Sequence, residues 1–340
     1  MKTELFDYPL PKDRIAQKPI RPRDHSRLMI LDRMTGDIWH RHFFDIIEYL
    51  KPGDLLVLNI TKVFKARLLG STDSGPVELF LLHPDNSRVW LALGKPGKKL
   101  PSGSRITFAD GMTCRIHAKR NNGTLEVDFD AMPKEVIAWA NERGHIPVPP
   151  YIGTEPEMLD EYQTVYAESV GSVAAPTAGF HFTPELIGRL KHAGIDVAAV
   201  TLHVGMGTFR PMRTETLKEH HMHEEWVSVP RTTAEKIRET KERGGRVIAV
   251  GTTTVRALES GMQEGFTSLF ITPGYSFKIV DGLITNFHLP KSTLLVLVSA
   301  FLGEQHATTD WGRTTLLRAY ATAIREGYRF YSFGDAMLIL

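Results

Sequence analysis

Apolar and polar positions follow three different rhythms along these 340 residues. A basic, proline-broken stretch at 11–27 leads into an apolar run at 27–32, a helical pattern at 43–50 and a continuous apolar run at 54–59. These predict a strand, a short helix and a buried strand, an opening of α/β character. From 63 to 149 the period shortens to two, in the runs VELFLLH, RVWLALG, SRITFA, TCRIHAKR and TLEVDFD, with Gly, Pro, Asn and Ser between them. That is the pattern of a small antiparallel barrel or sandwich. Beyond Pro147, Pro149 and Pro150 the segments lengthen: 184–193, 232–243, 293–301 and 314–326 read as helices, and 197–202, 247–250 and 329–333 as strands.

Strand, loop and crossover helix in succession predict a largely parallel or mixed sheet with right-handed crossovers. The expected fold is α/β: a discontinuous catalytic domain, 1–62 plus 150–340, interrupted by an inserted small antiparallel β-barrel domain, 63–149. Lys and Arg number 41 against 39 Asp and Glu, a net charge of +2 that does not suit a nucleic-acid packaging protein. A polyanion has to be met by a local patch, for which Lys12, Arg14, Lys18, Arg21, Arg23 and Arg27 are candidates, extended by Lys62, Lys65 and Arg67. A solvated basic face is the competing reading. Cys114, the one cysteine, excludes an internal disulfide and a cysteine zinc site, and in its alternating run reads as an inert thiol. The opening MKTELFDYPLPKDR lacks the apolar core of a signal peptide, and the longest apolar run, 294–302, is far shorter than the about 20 residues that cross a bilayer. A soluble, cytoplasmic protein is expected.

Candidate chemistry gathers where apolar runs end. GSVAAPTAGFHFT (171–183) is nearly free of long side chains and places Thr177, Gly179 and His181 before a helix start at Thr183-Pro184, as backbone that approaches a ligand closely does. TLHVGMGTFRPM (201–212) sets His203 at a strand end, with Gly205 and Gly207 after it; VIAVGTTTVRALES (247–260) opens a hydroxyl-capped helix with Gly251, Thr252, Thr253 and Thr254. TNFHLPKSTLLVLVSAF (285–301) carries Asn286, His288 and Lys291 in a turn before an apolar helix capped by Ser292. An imidazole at a strand end suits proton transfer, a helix start suits a carboxylate or phosphate, and Lys291, unfavourable at a helix start, suits an anion. In an open α/β sheet such loops converge on one crevice, so one composite pocket is expected. HHMHEEW (220–226) matches no metal spacing; it reads as a segment that aims His223 and Glu225 at the pocket as base and orienter, and no metal site is expected. Asp335, near the carboxyl end, is either an Asx-turn residue or a ligand carboxylate.

Taken in order, LPKDRIAQKPIRPRDHSRL, GDLLVLNITKVFKARL, GSVAAPTAGFHFT, LHVGMGTFRP, MHEEW, VGTTTVRALES, TNFHLPKSTLL and YRFYSFGDAMLIL closely resemble the S-adenosylmethionine:tRNA ribosyltransferase-isomerase family of queuosine biosynthesis. The likeness is diffuse between Leu68 and Pro147, and Phe180 and Val296 stand where leucine and methionine are common in the family. The resemblance implies transfer of the ribosyl part of S-adenosylmethionine to 7-aminomethyl-7-deazaguanine at the wobble position of a tRNA with a GUN anticodon, releasing adenine and methionine and leaving epoxyqueuosine. S-adenosylmethionine is then a consumed substrate, no cofactor is implied, and the protein is expected to act as a monomer. On that basis the base is His203, or His223 with Glu225; His181 and Asp335 contact sugar or adenine. Thr177, Gly179, Gly205, Gly207, Gly251 to Thr254, Asn286 and His288 surround S-adenosylmethionine, and Arg14, Arg23, Arg27, Lys62, Arg67 and Lys291 meet tRNA. Two rival functions are an S-adenosylmethionine-dependent RNA methyltransferase, against which no glycine-rich loop follows the first strand, and a non-catalytic tRNA-binding protein, which does not need four histidine-bearing loops.

Overall fold

A computed structural model describes residues 1–84, 88–120, 123–205, 211–306, 308 and 310–340. Among these residues nine strands form one mixed sheet, in the order Glu264–Thr267, Glu225–Ser228, Asp196–Leu202, Leu55–Asn59, Val247–Val250, Gly282–Asn286, Ala336–Ile339, Arg27–Leu31 and Ile38–His42. The four strands from Asp196–Leu202 to Gly282–Asn286 run parallel and are almost wholly buried, which is why they read as continuous apolar runs. Antiparallel pairs flank them on both sides, so the sheet is mixed.

The second sheet is a closed antiparallel barrel, in the order Leu125–Phe129, Val89–Lys95, Gly75–Pro84, Arg67–Thr72, Arg105–Phe108 and Thr113–Lys119. Its alternating residues put Leu79, Leu81, Trp90, Ile106, Ile116, Val127 and Phe129 inside. Burial pushes the Cys114 thiol up to about 12, so it stays protonated and inert. The helix Pro133–Arg143, which period-two reading does not anticipate, packs against this core through Val136 and Ala140, with Trp139 against Phe108 at 4.9 Å between ring centroids.

Two further expectations are corrected. Residues 329–333 form no strand: Tyr331 has φ 71°, and the final strand is Ala336–Ile339. Of the aromatic residues before it, Tyr328 and Phe330 are buried against Phe287 and Tyr320, and Tyr331 packs on Tyr151 at 4.6 Å; ring packing and one isolated backbone bridge, Phe330 to Ile15, hold the chain. The helix start at 252 is not hydroxyl-capped; its N-cap is Gly251 at φ 91°, a left-handed conformation that leaves the cap without a side chain. The apolar helix Thr293–Gly303 is capped by Ser292 as expected and lies buried beside Asp310–Arg325.

Sheet direction places the site. The parallel strands end at Leu202, Asn59, Val250 and Asn286 on one edge. The antiparallel pairing of Asn286 with Ala336, and the parallel pairing of Leu28 with Ala336, bring Asp335 and Ser26 to that same edge.

Candidate active site at the carboxyl edge of the sheet

Asn59 ties three of these strand ends together. Its amide donates to Leu202 O at 3.0 Å and to Thr253 Oγ1 at 3.3 Å, while its carbonyl accepts from Leu202 N and Thr61 N, both at 3.1 Å. A fully buried amide with both ends engaged fixes the strand ends relative to one another. Beside it lies a narrow pocket of ≈ 50 Å³ whose wall includes Thr177, Val204, Gly251, Thr252, Thr253, Asn286, His288 and Tyr331. Four of the loops that carried candidate chemistry thus meet at this pocket, but the expected single composite site is not formed: His181, His203 and His223 do not line it.

The polar groups of the pocket wall are ordered by hydrogen bonds to one another. Thr177 Oγ1 donates to Asn286 Oδ1 at 2.9 Å, and Asn286 Nδ2 points to Tyr331 O at 3.5 Å and His181 Nε2 at 3.2 Å. Because a backbone carbonyl only accepts, the amide orientation follows, and His181 Nε2 must be the unprotonated nitrogen. Its Nδ1–H then donates to Ser26 Oγ at 2.7 Å. Both ring nitrogens are engaged and burial holds the pKa of His181 down at about 3, so His181 stands behind Asn286 as a neutral positioning group. It lines a separate tiny cavity with Ser26 and Arg23. His288 is held down at about 3 by burial too; Nε2 faces Thr285 Oγ1 at 3.3 Å, while Nδ1, buried, has no hydrogen-bond partner among the described residues.

On the other side of the Leu202–Gly205 segment opens a cleft of ≈ 770 Å³ between barrel and sheet. His203 lines the cleft and the next residue, Val204, lines the narrow pocket, so this strand end is the partition between them. His203 Nδ1 is 2.7 Å from Thr61 Oγ1, its ring stacks on Trp226 at 5.0 Å, and its Nε2 lies against Gly171. Gly171 has φ 149°, and a Cβ there would stand 2.7 Å from His203 Nε2, so close approach requires glycine. Burial, and then the charge of His83 across the cleft, hold the His203 pKa down at about 4. The imidazole is neutral near pH 7, but its pKa is not the near-7 value of an unperturbed histidine.

Other candidates take different places. Glu225 is buried in an ion pair with Arg256 and accepts Gly205 N–H at 2.8 Å, while His223 is exposed; the expected His223–Glu225 pair is replaced because strand alternation turns Glu225 inward. Asp335 behaves as a turn carboxylate, accepting Arg27 N–H at 3.0 Å and Arg329 N–H at 2.8 Å. Gly179 packs against Tyr166 with no room for a Cβ, and Thr254 donates back to Val250 O, at the end of the preceding strand, at 2.6 Å; neither lines the pocket. Gly207 lies outside the described residues. Among the described residues no group of three or more His, Cys, Asp and Glu side chains is arranged to hold a metal ion, and no helix is long and apolar enough to cross a membrane.

Most of the basic candidates are engaged internally. Arg23 donates to Gln163 O at 3.0 Å and Glu161 O at 2.8 Å; Arg27 donates to Glu326 O at 2.6 Å and lies over the Tyr328 ring. Arg67 pairs with Glu78 at 3.1 Å on the barrel. Lys291, at φ 55°, meets anions of its own chain, Glu4 at 3.1 Å and Asp7 at 3.0 Å. Lys62 and Arg14 are half-buried, and Arg14 has only a 3.9 Å approach to Asp13.

Sequence reasoning missed Asn59, Thr61, Ser26, Trp226 and Arg256, and every barrel residue of the cleft. Asn59 and Thr61 did carry a signal: Asn59 directly ends a run of four buried apolar residues, and Thr61 follows two positions on.

Comparison with known proteins gives the same direction as the site. The model of the family described as queuosine biosynthesis protein matches residues 3–339. Proteins named S-adenosylmethionine:tRNA ribosyltransferase-isomerase from Thermotoga maritima and Thermotoga petrophila are each 49% identical over 348 residues, covering all of both chains. The crystal structure of an S-adenosylmethionine tRNA ribosyltransferase from Thermotoga maritima aligns with a TM-score of 0.56 at 40% identity, over 99% of this chain and all of that one. These whole-length matches place the chain in the queuosine biosynthesis protein family.

Proposed function

We propose that this chain is an S-adenosylmethionine:tRNA ribosyltransferase-isomerase that transfers and isomerises the ribosyl moiety of S-adenosylmethionine onto a tRNA base. The acceptor is 7-aminomethyl-7-deazaguanine at the wobble position of a tRNA with a GUN anticodon, and the products are epoxyqueuosine-tRNA, adenine and methionine. The enzyme works as a cytoplasmic monomer, with S-adenosylmethionine consumed as a substrate and no resident cofactor. The observation that supports this reading best is the partition at His203–Val204, with a narrow pocket on one side and a wide cleft on the other.

The reaction needs a donor and a bulky acceptor to meet at one carbon, and a base there. The narrow pocket holds roughly four waters' worth of space, enough for the amino-acid end of the donor but not its nucleoside. The first N–H groups of the helix Thr252–Glu259, which helix geometry leaves without intrahelical acceptors, suit the donor's carboxylate. The nucleoside then extends toward the partition, where the sulfonium acidifies the adjacent 5′ carbon. We assign the proton acceptor there to His203, whose Nδ1 contact with Thr61 orients the ring. Elimination expels adenine and opens the sugar to the aminomethyl nitrogen; rearrangement releases methionine as the epoxide closes. Lys62 and Arg14 are the basic side chains assigned to tRNA phosphates.

Family membership weighs against the methyltransferase and against the non-catalytic binder. Incubation with S-adenosylmethionine and tRNA bearing the aminomethyl deazaguanine is expected to release free adenine and methionine together. S-adenosylhomocysteine as product would overturn the reading.

A further inference from the structure

The cleft between barrel and sheet contains features that the donor chemistry does not use. Trp226 and Phe266 are cross-strand partners on the neighbouring strands Glu225–Ser228 and Glu264–Thr267. Trp226 is flanked by His203 at 5.0 Å, and Phe266 by His83 of the barrel at 5.3 Å between ring centroids. Four rings from two domains thus make one continuous wall. Phe266 is 46% exposed and Val170, on the same cleft, 42% exposed, an unusual cost for large apolar side chains that flank a concave surface.

We propose that this wall seats the purine of the acceptor nucleotide, extruded from the anticodon loop and stacked against Phe266 and Trp226; the inference rests on the tRNA reading above. A base must leave its neighbours to reach an enclosed reaction centre, and aromatic faces replace the stacking it loses. The cleft, at ≈ 770 Å³, is large enough for a whole nucleotide. Its charges match a deazaguanine that carries an aminomethyl group. The guanine edge presents adjacent N–H donors and the substituent is a cation, and two carboxylates line the cleft, Glu224 on the sheet side and Glu126 on the barrel. Glu126 is already held by Arg120 at 2.7 Å, which leaves Glu224, exposed and without an ion-pair partner among the described residues, as the group that reads the base. Arg120, the partner of Glu126, lies on the same cleft. In this arrangement the barrel is part of the acceptor site, since without His83 the wall would end at an exposed sheet edge.

The test is a thermodynamic cycle. Binding of a labelled anticodon stem-loop with the aminomethyl deazaguanine at the wobble position is measured for the wild type, Phe266→Ala and Phe266→Tyr, alongside the same stem-loop with an abasic wobble site. Stacking of one base predicts a loss of affinity of about tenfold for Phe266→Ala, equivalent to about 1.4 kcal/mol, recovery in Phe266→Tyr, and no difference between wild type and Phe266→Ala on the abasic stem-loop. Equal weakening on both stem-loops, or none on the modified one, overturns the proposal. Turnover of the wild type is scored separately. Adenine release without the coupling rejects the stacking site alone, and the coupling without adenine release rejects the reaction while keeping the site.

Discussion

Replacing Gly171 with alanine tests how tightly the partition is built. The added methyl would stand 2.7 Å from His203 Nε2, 2.9 Å from Cε1 and 3.1 Å from Cδ2, all inside normal contact. The ring cannot yield freely. Its opposite nitrogen is bound to Thr61 Oγ1 at 2.7 Å, and its face rests on Trp226. Relief requires breaking that bond, at about 1–2 kcal/mol for a partly buried hydrogen bond, and the backbone at φ 149° adds roughly 1–3 kcal/mol for any residue with a side chain. The expected loss is on the order of 2–5 kcal/mol of stability, a drop in Tm of roughly 3–7 °C from the per-residue entropy of unfolding. Adenine release should fall further than stability does, because a 1 Å displacement of a base costs on the order of a hundredfold in rate. Calorimetry with a parallel adenine-release assay reads both. A Gly171→Ala variant with unaltered Tm and turnover would refute the claim that His203 is locked between Gly171 and Thr61.

Four more outcomes follow from the same geometry. Asn286→Ala removes the amide that joins Thr177, Tyr331 and His181, and isothermal titration should show S-adenosylmethionine binding weakened by about tenfold, the size of one or two polar contacts. Glu225→Gln leaves Arg256 buried without its countercharge and should destabilise by about 3–5 kcal/mol in chemical denaturation, whereas His223→Ala, on the surface, should leave stability unchanged. His181, His203 and His288 have folded pKa values of about 3, 4 and 3, below the ordinary 6.5, so the unfolded chain takes up protons first. Stability should be unaffected by them above pH 6.5 and should fall as pH drops from there toward 4, by up to about 1.4 kcal/mol per pH unit for each, least for half-buried His203; a denaturation midpoint that does not change between pH 6.5 and 5 would contradict these shifts. Lys291→Ala should leave tRNA affinity unchanged in a filter-binding assay, because its ammonium already meets Glu4 and Asp7.

The period-two runs and the continuous apolar runs made barrel and central sheet legible, because both are consequences of which faces are buried. Val247–Val250 appears with the boundaries the pattern predicts, and Leu55–Asn59 and Asp196–Leu202 differ by one residue. Short edge strands such as Glu264–Thr267, with three residues at least half-exposed, carry no such pattern. The tail 328–333 misled because aromatic residues favour strands in general but here pack as a buried turn. At the site, residue type located the loops but not the partners. Nothing local shows that Glu225 meets Arg256, thirty-one positions away, or that Lys291 is answered by the first turn of the chain. The paired roles of Asn59 and Thr61 and the barrel's share of the cleft depend on contacts between distant segments, which one sequence does not record.

His203→Ala in a single-turnover experiment with S-adenosylmethionine and the modified tRNA tests the partition directly. If His203 is the proton acceptor between donor pocket and acceptor cleft, S-adenosylmethionine binds the variant with wild-type affinity, and at saturating tRNA adenine release slows by about a hundredfold or more. Release at the wild-type rate, with both substrates bound, would contradict the account.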